Sequence, residues 1–220
     1  MAADLPSAAR QPVSTRRVEA FTDGVFAIAA TLLVLDLTID GFDRATTNDQ
    51  LWHQLLGLQQ NLLSFVISFL LLCFLWSVHV RQFEYLERID STLTLLNTVR
   101  LLGVVLIPFT TSLNSEYSEL LAGRLALPVN FLFVVAMGVA QWEYATGSQR
   151  GLVEGLSDET RRRYRTNGLI AVGLGVVVVV LSSFVGPWAF LAYTLSAILQ
   201  RVATRPARRA RPEKDEAADR

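Results

Sequence analysis

Two ionisable side chains lie in or beside apolar stretches of this sequence, where a charge is stable only with a polar partner or water nearby. Asp23 follows Arg17 by six residues in the stretch 18 to 39, and Arg100 lies near the middle of the stretch 91 to 112. An ionised group in hydrocarbon costs at least about 2.5–3.5 kcal/mol, so such groups face protein or water. Counted from one side of the membrane, the two side chains could lie at comparable depths and form an ion pair. That pair would either hold two helices together or make Asp23 part of an ion path or gate.

Further polar groups lie in the second and third apolar stretches. Trp76 and His79 are three residues apart, so they share one helical face. His79 would hydrogen-bond the first helix, titrate near neutral pH, or simply pack at the membrane interface. Asn97 offers an interhelical hydrogen bond, and Pro108 predicts a kink near the outer end of its helix.

The first apolar stretch also carries a helical stripe. Ile28, Thr31, Leu32 and Leu35 recur at i, i+3, i+4 and i+7, and Phe21, Gly24 and Thr38 extend the same line. Such a stripe is either a packing seam or the lining of a narrow axis shared by several copies. In the second case the aliphatic rings would gate a pore by dewetting, and the threonine hydroxyls would offer oxygens to a cation.

Helices that cross a membrane must position these groups. The chain has 220 residues, of which 51% are hydrophobic and 18% charged, and alternating strand patterns are absent. A span of about 30 Å of hydrocarbon needs about 20 apolar residues. The sequence predicts an all-α polytopic membrane protein. Its six-helix channel domain covers residues 17 to 203. We expect the polar N-terminal segment, 1 to 16, and the charged tail, 204 to 220, to be disordered. The six predicted transmembrane helices are 18 to 39, 61 to 80, 91 to 112, 125 to 145, 166 to 185 and 187 to 203.

The distribution of basic residues predicts the topology. If the N-terminus is cytoplasmic, 17 of the 20 Lys and Arg residues fall in inside segments and only Arg44 and Arg124 in outside loops. The positive-inside rule therefore favours cytoplasmic N- and C-termini, in the cell membrane and in contact with its lipids. Asp36 and Asp40 then belong to an acidic outer mouth, which would raise the local cation concentration, or to an ordinary solvated loop.

Composition argues against several other classes of protein. The 20 acidic residues balance the 20 basic ones, so net charge indicates no nucleic-acid partner. Cys73 is the only cysteine, and no Cys/His cluster, H-E-x-x-H motif or nucleophile elbow occurs. We therefore expect no enzyme activity, cofactor or metal site.

The segment "RVEAFTDGVFAIAATLLVL", residues 17 to 35, resembles the first-helix signature of the transmembrane-protein-175 (TMEM175) family, the lysosomal-type potassium channels and their prokaryotic homologues. Arg17, Phe21, Thr22 and Asp23 match its Arg-x-x-x-Phe-Ser-Asp motif, with Thr22 in place of the usual serine. "LWSVHVRQF" and "LLNTVRLLGVVLIPFTT" are similar to the family's second and third helices, although Val80 stands where a second histidine often follows.

This resemblance implies a potassium-preferring cation channel. Because the chain holds one six-helix repeat, it implies a homotetramer whose first helices line the pore and conduct potassium and other monovalent cations. Ile28 would form the narrow constriction, Leu32 and Leu35 further apolar layers, and Thr31 a hydroxyl position associated with potassium preference. Behind the pore helix we expect a polar network of Arg17, Phe21, Thr22, Asp23, Trp76, His79, Asn97 and Arg100.

Two alternatives belong to other classes. Asp23 and His79 would serve a proton- or cation-coupled secondary transporter, although neither an inverted repeat nor a paired broken helix is evident. The chain would otherwise be a non-conducting membrane assembly protein.

Overall fold

The structure, a computed structural model, describes residues 14–38, 42–147, 150–185 and 189–190. Within these ranges the chain is helical, and its one β-type pairing is an isolated antiparallel bridge between Leu86 and Val153. The helices are α1 (Thr15–Leu32), followed by a 3-10 turn (Leu33–Asp36), α2 (Asn48–Gly57), α3 (Gln59–Phe83), α4 (Ser91–Val105), α5 (Ile107–Glu116), α6 (Leu121–Ala145) and α7 (Asp158–Val185).

Within the described residues, five helical segments are long and apolar enough to cross a membrane, judged by length and composition. They are Thr15–Asp36, Gln59–Phe83, Ser91–Glu116, Leu121–Ala145 and Asp158–Val185. The all-helical fold and five of the six predicted spans are thus confirmed. The sixth predicted span, 187 to 203, lies outside the described residues apart from Ala189 and Phe190.

Pro108 breaks the third span, as predicted. The helix is interrupted at Leu106, and Pro108 lies in the first turn of α5. Proline has no N–H, and its ring clashes with the carbonyl four residues earlier, so the preceding helix cannot continue unchanged. The hydroxyls of Thr110 and Thr111 donate to the carbonyls of Leu106 and Ile107, at 3.0 and 2.8 Å, and so add side-chain hydrogen bonds beside the break.

One end of the bundle gathers most of the described arginines, and we call it the arginine end. The Thr15 hydroxyl donates to the Glu87 carbonyl at 3.1 Å, and the Glu87 amide donates to the Leu152 carbonyl at 3.1 Å. These bonds join the start of α1 to the α3–α4 and α6–α7 connections, so consecutive long helices run antiparallel. The arginine end is defined by Arg16, Arg17, Arg81, Arg88, Arg150, Arg161, Arg162, Arg163 and Arg165.

The opposite end holds a helix that we did not predict. Thr47 caps α2 by accepting from the Gln50 amide at 3.3 Å, and the Gln50 side chain accepts from the Thr46 amide at 2.9 Å. This reciprocal capping is a helix-start signal readable from Thr47-x-x-Gln50. No residue of α2 is buried within the described part of the chain. A helix without a buried face carries no clear hydrophobic pattern, so the sequence did not predict it.

The main core lies around α6. Phe131 and Val134 of α6 pack with Val104 of α4, Ile107 of α5 and Leu72 of α3, all of them buried. Helix α7 packs mainly against α6, and the buried share of its most apolar stretch is the smallest among the five long segments. The described bundle therefore leaves large apolar surfaces on its outer helices, as lipid or neighbouring copies require.

A carboxyl pair at the arginine end predicts a pH dependence. Hydrogen bonding and charge repulsion from Glu154 raise the pKa of Glu87 above its ordinary value of 4.5. A raised pKa in the folded state means that the shared proton stabilises this contact at acidic pH, and that the stabilisation is lost as the pH rises through the raised value. We expect the Glu87 amide to be better protected from hydrogen exchange below pH 4.5 than at pH 7, after correction for intrinsic rates.

The matched variant for that measurement is Glu154→Gln, which keeps a hydrogen-bonding side chain and removes the second charge. Its Glu87 amide should show the same protection at both pH values. Equal pH dependence in the two proteins would contradict the pair.

Candidate functional site

Helix α1 has one face buried in the bundle and one face turned outward. The buried face consists of Val18, Thr22, Phe26, Ala29 and, in the following turn, Leu33. The predicted stripe lies on the other face: Phe21, Ile28, Leu32 and Leu35 are 65, 61, 41 and 69% exposed, and Gly24, Thr31 and Thr38 are exposed as well. Because the described residues leave the stripe uncovered, it is not a packing seam among them. Its side chains are therefore available for contact with lipid or with other copies of the chain.

Polar oxygens accompany this outward stripe. The Thr31 hydroxyl donates to the Ile28 carbonyl at 2.8 Å, which leaves lone pairs of the hydroxyl oxygen as acceptors. Asp36 ends the 3-10 turn and is half-buried, and its Oδ2 has no hydrogen-bond partner in the described part of the chain. Asp40, the other member of the predicted outer mouth, lies outside the described residues.

A continuous chain of buried polar side chains starts on the inward face of α1. Asn97 Nδ2 donates to Thr22 Oγ1 at 2.8 Å, and Gln141 Nε2 donates to Asn97 Oδ1 at 3.1 Å. Arg100 Nη1 donates to Gln141 Oε1 at 3.1 Å and to Gln82 Oε1 at 3.4 Å. We call these five residues the polar chain. It connects α1, α4, α6 and α3. Both acceptors of Arg100 in this chain are neutral amides, those of Gln141 and Gln82.

The predicted ion pair between Asp23 and Arg100 is wrong. Asp23 Oδ1 accepts from Trp76 Nε1 at 2.9 Å, and within the described residues no carboxylate comes within 4.0 Å of the Arg100 guanidinium. The reason is orientation: Arg100 points to α6, where Gly138 makes room for it. A Cβ added at Gly138 would lie 3.1 Å from Arg100 Cζ.

His79 packs against two aromatic rings. It is fully buried, with ring centroids 5.8 Å from Phe26 of α1 and 4.0 Å from Phe83. Neither ring nitrogen has a hydrogen-bond partner within the described ranges. The expected hydrogen bond to the first helix is therefore replaced by a ring contact, the packing alternative considered above.

The remaining expected members lie apart from the polar chain. Arg17 is exposed at the arginine end and forms no ion pair with another described residue. Phe21 lies on the outward stripe. Conversely, the sequence reasoning missed Gln82 and Gln141. The signal for Gln141 was an amide in the apolar stretch 125 to 145, which also contains Asn130, whereas Gln82 lies just beyond the stretch 61 to 80 and gave no such signal. The described residues hold no group of three His, Cys, Asp or Glu side chains suited to a metal ion.

The different partners of Asp23 and Arg100 make their substitutions independent. We expect the destabilisations of Asp23→Asn and Arg100→Met, measured by unfolding in detergent, to add within about 0.5 kcal/mol. Asp23→Leu combined with Trp76→Phe is the matched comparison, because either change removes the hydrogen bond between those two side chains and the pair should couple. A coupling above about 1 kcal/mol between positions 23 and 100 would contradict the observed partners.

Comparison with known proteins places this architecture in a family. Residues 17–108 match the family model described as "Endosomal/lysosomal potassium channel TMEM175". A potassium channel of Chamaesiphon minutus is 33% identical over 181 residues, which cover 79% of this chain and 86% of that protein. The chain belongs to the TMEM175 family. The resemblance read from the first helix is confirmed, and the chain is an integral, multi-pass membrane protein of a channel family.

A TMEM175 structure and a second relative agree with this placement. The crystal structure of a lysosomal potassium-selective channel TMEM175 homolog from Chamaesiphon minutus matches with a TM-score of 0.71 and 26% identity, covering 86% of this chain and 98% of that one. A potassium channel of Streptomyces collinus is 40% identical over 125 residues, 56% of this chain. The match spans 59% of the Streptomyces protein's length. The TMEM175 fold thus extends well beyond the signature in α1.

Proposed function

We propose that this chain forms a homotetrameric, potassium-preferring cation channel in the cell membrane, with both termini in the cytoplasm. The observation that carries the proposal is the outward apolar stripe on α1, in a chain whose relatives are named potassium channels. Four copies of α1 around one axis would cover the stripe and turn it into a pore lining.

The stripe has the chemistry of a narrow, selective constriction. Rings of Ile28, Leu32 and Leu35 offer an ion no ligands, so they disfavour ions that hold their water tightly, as sodium does relative to potassium. The Thr31 hydroxyl, whose proton is held by the Ile28 carbonyl, would present oxygens between these rings. Asp36 would then add negative charge at the outer mouth.

The polar chain supports this role by fixing the rotation of α1. Thr22 lies on the buried face and is held by Asn97 of α4, whereas Ile28 lies on the exposed face. A rotation of α1 that turned Ile28 off the axis would break the buried Thr22–Asn97 bond. The bond thus helps to set which side chains reach the pore.

Flux through the purified full chain tests the proposal. In liposomes we expect an electrogenic potassium current that needs no coupled substrate, a bi-ionic reversal potential favouring potassium over sodium, and a particle mass of four copies. Tetramers without current would indicate the assembly protein instead. Flux that depends on a second transported species would indicate the coupled transporter.

A further inference from the structure

A cavity of about 390 Å³ lies between α3, α6 and α7 in the described part of the chain. Its volume falls in the range of about 300–1,000 Å³ that accommodates a small ligand. Most of its lining is apolar, with Leu70 and Phe74 on α3, Val135 on α6 and Ile170 on α7. Leu70, Phe74 and Ile170 are also exposed on the outside of the bundle, so the cavity is open to its surroundings.

The lining becomes polar at one end only. Along α3 it passes from Leu70 and Phe74 to Arg81 and Gln82, and along α7 it passes from Leu174 back to Asn167 and Tyr164. Because α3 and α7 run antiparallel, both polar stretches lie toward the arginine end. A cavity with an apolar body and one polar end matches an amphiphile that has a hydrocarbon chain and a polar head.

Among the described residues that line the cavity, the polar end holds two arginines and no carboxylate. Arg100 lines the cavity, is 2% exposed, and has an Nε with no hydrogen-bond partner among the described residues. Arg81 lines it as well, and no ion pair to a described carboxylate engages either guanidinium. A buried cation without a counter-charge is costly, and an anion arriving at this end would relieve that cost. The start of α7 brings four further arginines near the same end, together with Asp158 and Glu159, and Arg165 pairs with Glu143.

The neighbouring predicted span cannot supply that counter-charge. Residues 191 to 203 contain no Asp or Glu and bring one further cation, Arg201. Those residues could cover apolar lining, yet they would leave the arginines unneutralised. Charge complementarity therefore favours an anionic occupant over this segment of the chain.

We propose that the cavity binds one anionic phospholipid, with an acyl chain along the apolar lining and the phosphate at the Arg81 and Arg100 end. Guanidinium groups are well suited to phosphate because they donate paired, charge-assisted hydrogen bonds. The leaflet is the one on the arginine side, where the positive-inside pattern places the cytoplasm. This lipid site lies away from the α1 stripe and does not depend on whether the protein conducts ions.

Native mass spectrometry of the delipidated full-length protein tests the proposal, with phosphatidylglycerol and phosphatidylcholine of identical acyl chains as the added lipids. The wild type should retain phosphatidylglycerol more tightly, and Arg81→Gln should weaken that retention about fivefold, as expected for loss of one basic contact. The matched control is Arg88→Gln, since Arg88 is exposed at the same end and does not line the cavity. Ile170→Trp, at a half-exposed lining position, should reduce retention by filling the apolar part.

Three outcomes would overturn the lipid site. Equal retention of the two lipids by the wild type would show that the arginines recognise no headgroup. Equal losses in Arg81→Gln and Arg88→Gln would show a general surface-charge effect. Absence of retained phosphatidylglycerol would leave the cavity to residues 191 to 203 or to a second copy of the chain.

Discussion

Replacing Ile28 by asparagine should raise the conductance of the proposed channel about tenfold and bring its potassium-to-sodium permeability ratio close to one. In the proposed tetramer the change puts four amides where four sec-butyl groups exclude water. A tenfold gain corresponds to removing about 1.4 kcal/mol from the barrier, a modest part of what dehydrating a cation costs. Single-channel recording of reconstituted protein measures the conductance, and the bi-ionic reversal potential, which should move toward 0 mV, measures the ratio.

Leu102→Asn is the matched control for that experiment. Leu102 lies on α4 and is 61% exposed, the same fraction as Ile28, so the control introduces one amide per chain at an equally exposed site on another helix. Its conductance and reversal potential should remain those of the wild type. An Ile28→Asn protein with unchanged conductance and unchanged preference for potassium would remove Ile28 from the ion path.

Replacing Gln141 by leucine should destabilise the fold by about 3 kcal/mol, the range found when a buried charge loses its partner. The substitution is close in size, yet it removes the acceptor 3.1 Å from Arg100 Nη1 and the donor 3.1 Å from Asn97 Oδ1. Arg100 would keep only the longer bond to Gln82, at 3.4 Å, while remaining buried. Thermal or denaturant unfolding in detergent measures the loss.

The double variant Arg100→Met with Gln141→Leu separates a lost partner from lost packing. Once the cation is gone, the leucine no longer leaves a buried charge unsatisfied, so most of the stability should return and the two changes should couple by more than 1 kcal/mol. Strictly additive effects would mean that the Arg100–Gln141 bond contributes nothing to stability.

The polar chain links these two results. Its Thr22–Asn97 bond holds the buried face of α1, and Gln141 holds Asn97 in turn. A protein that loses Gln141 should therefore hold Asn97, and through it the orientation of α1, less firmly. An unsatisfied polar group is costly in the interior of a membrane bundle. In the proposed channel, holding the orientation of α1 explains why the amides of the polar chain lie there.

The sequence alone determined the long apolar helices and the family. Runs of about 20 apolar residues predicted five of the observed spans because length and hydropathy are local properties. Pro108 predicted the break between α4 and α5 because the missing N–H and the ring clash act within one turn of its own helix. The stripe of α1 followed from helical periodicity, and the Arg17 to Asp23 motif led to the TMEM175 family, as the comparisons confirm.

Only the tertiary structure decided which polar groups meet. The sequence set Asp23 and Arg100 at comparable depths, but depth says nothing about the direction in which each side chain leaves its helix. Helix packing turned Arg100 toward the gap at Gly138, within reach of Gln141, and turned Asp23 toward Trp76. It also enclosed His79 between two phenylalanine rings. Partner choice depends on rotation and close approach between helices, and these are properties of the packed bundle that no single helix carries in its own sequence.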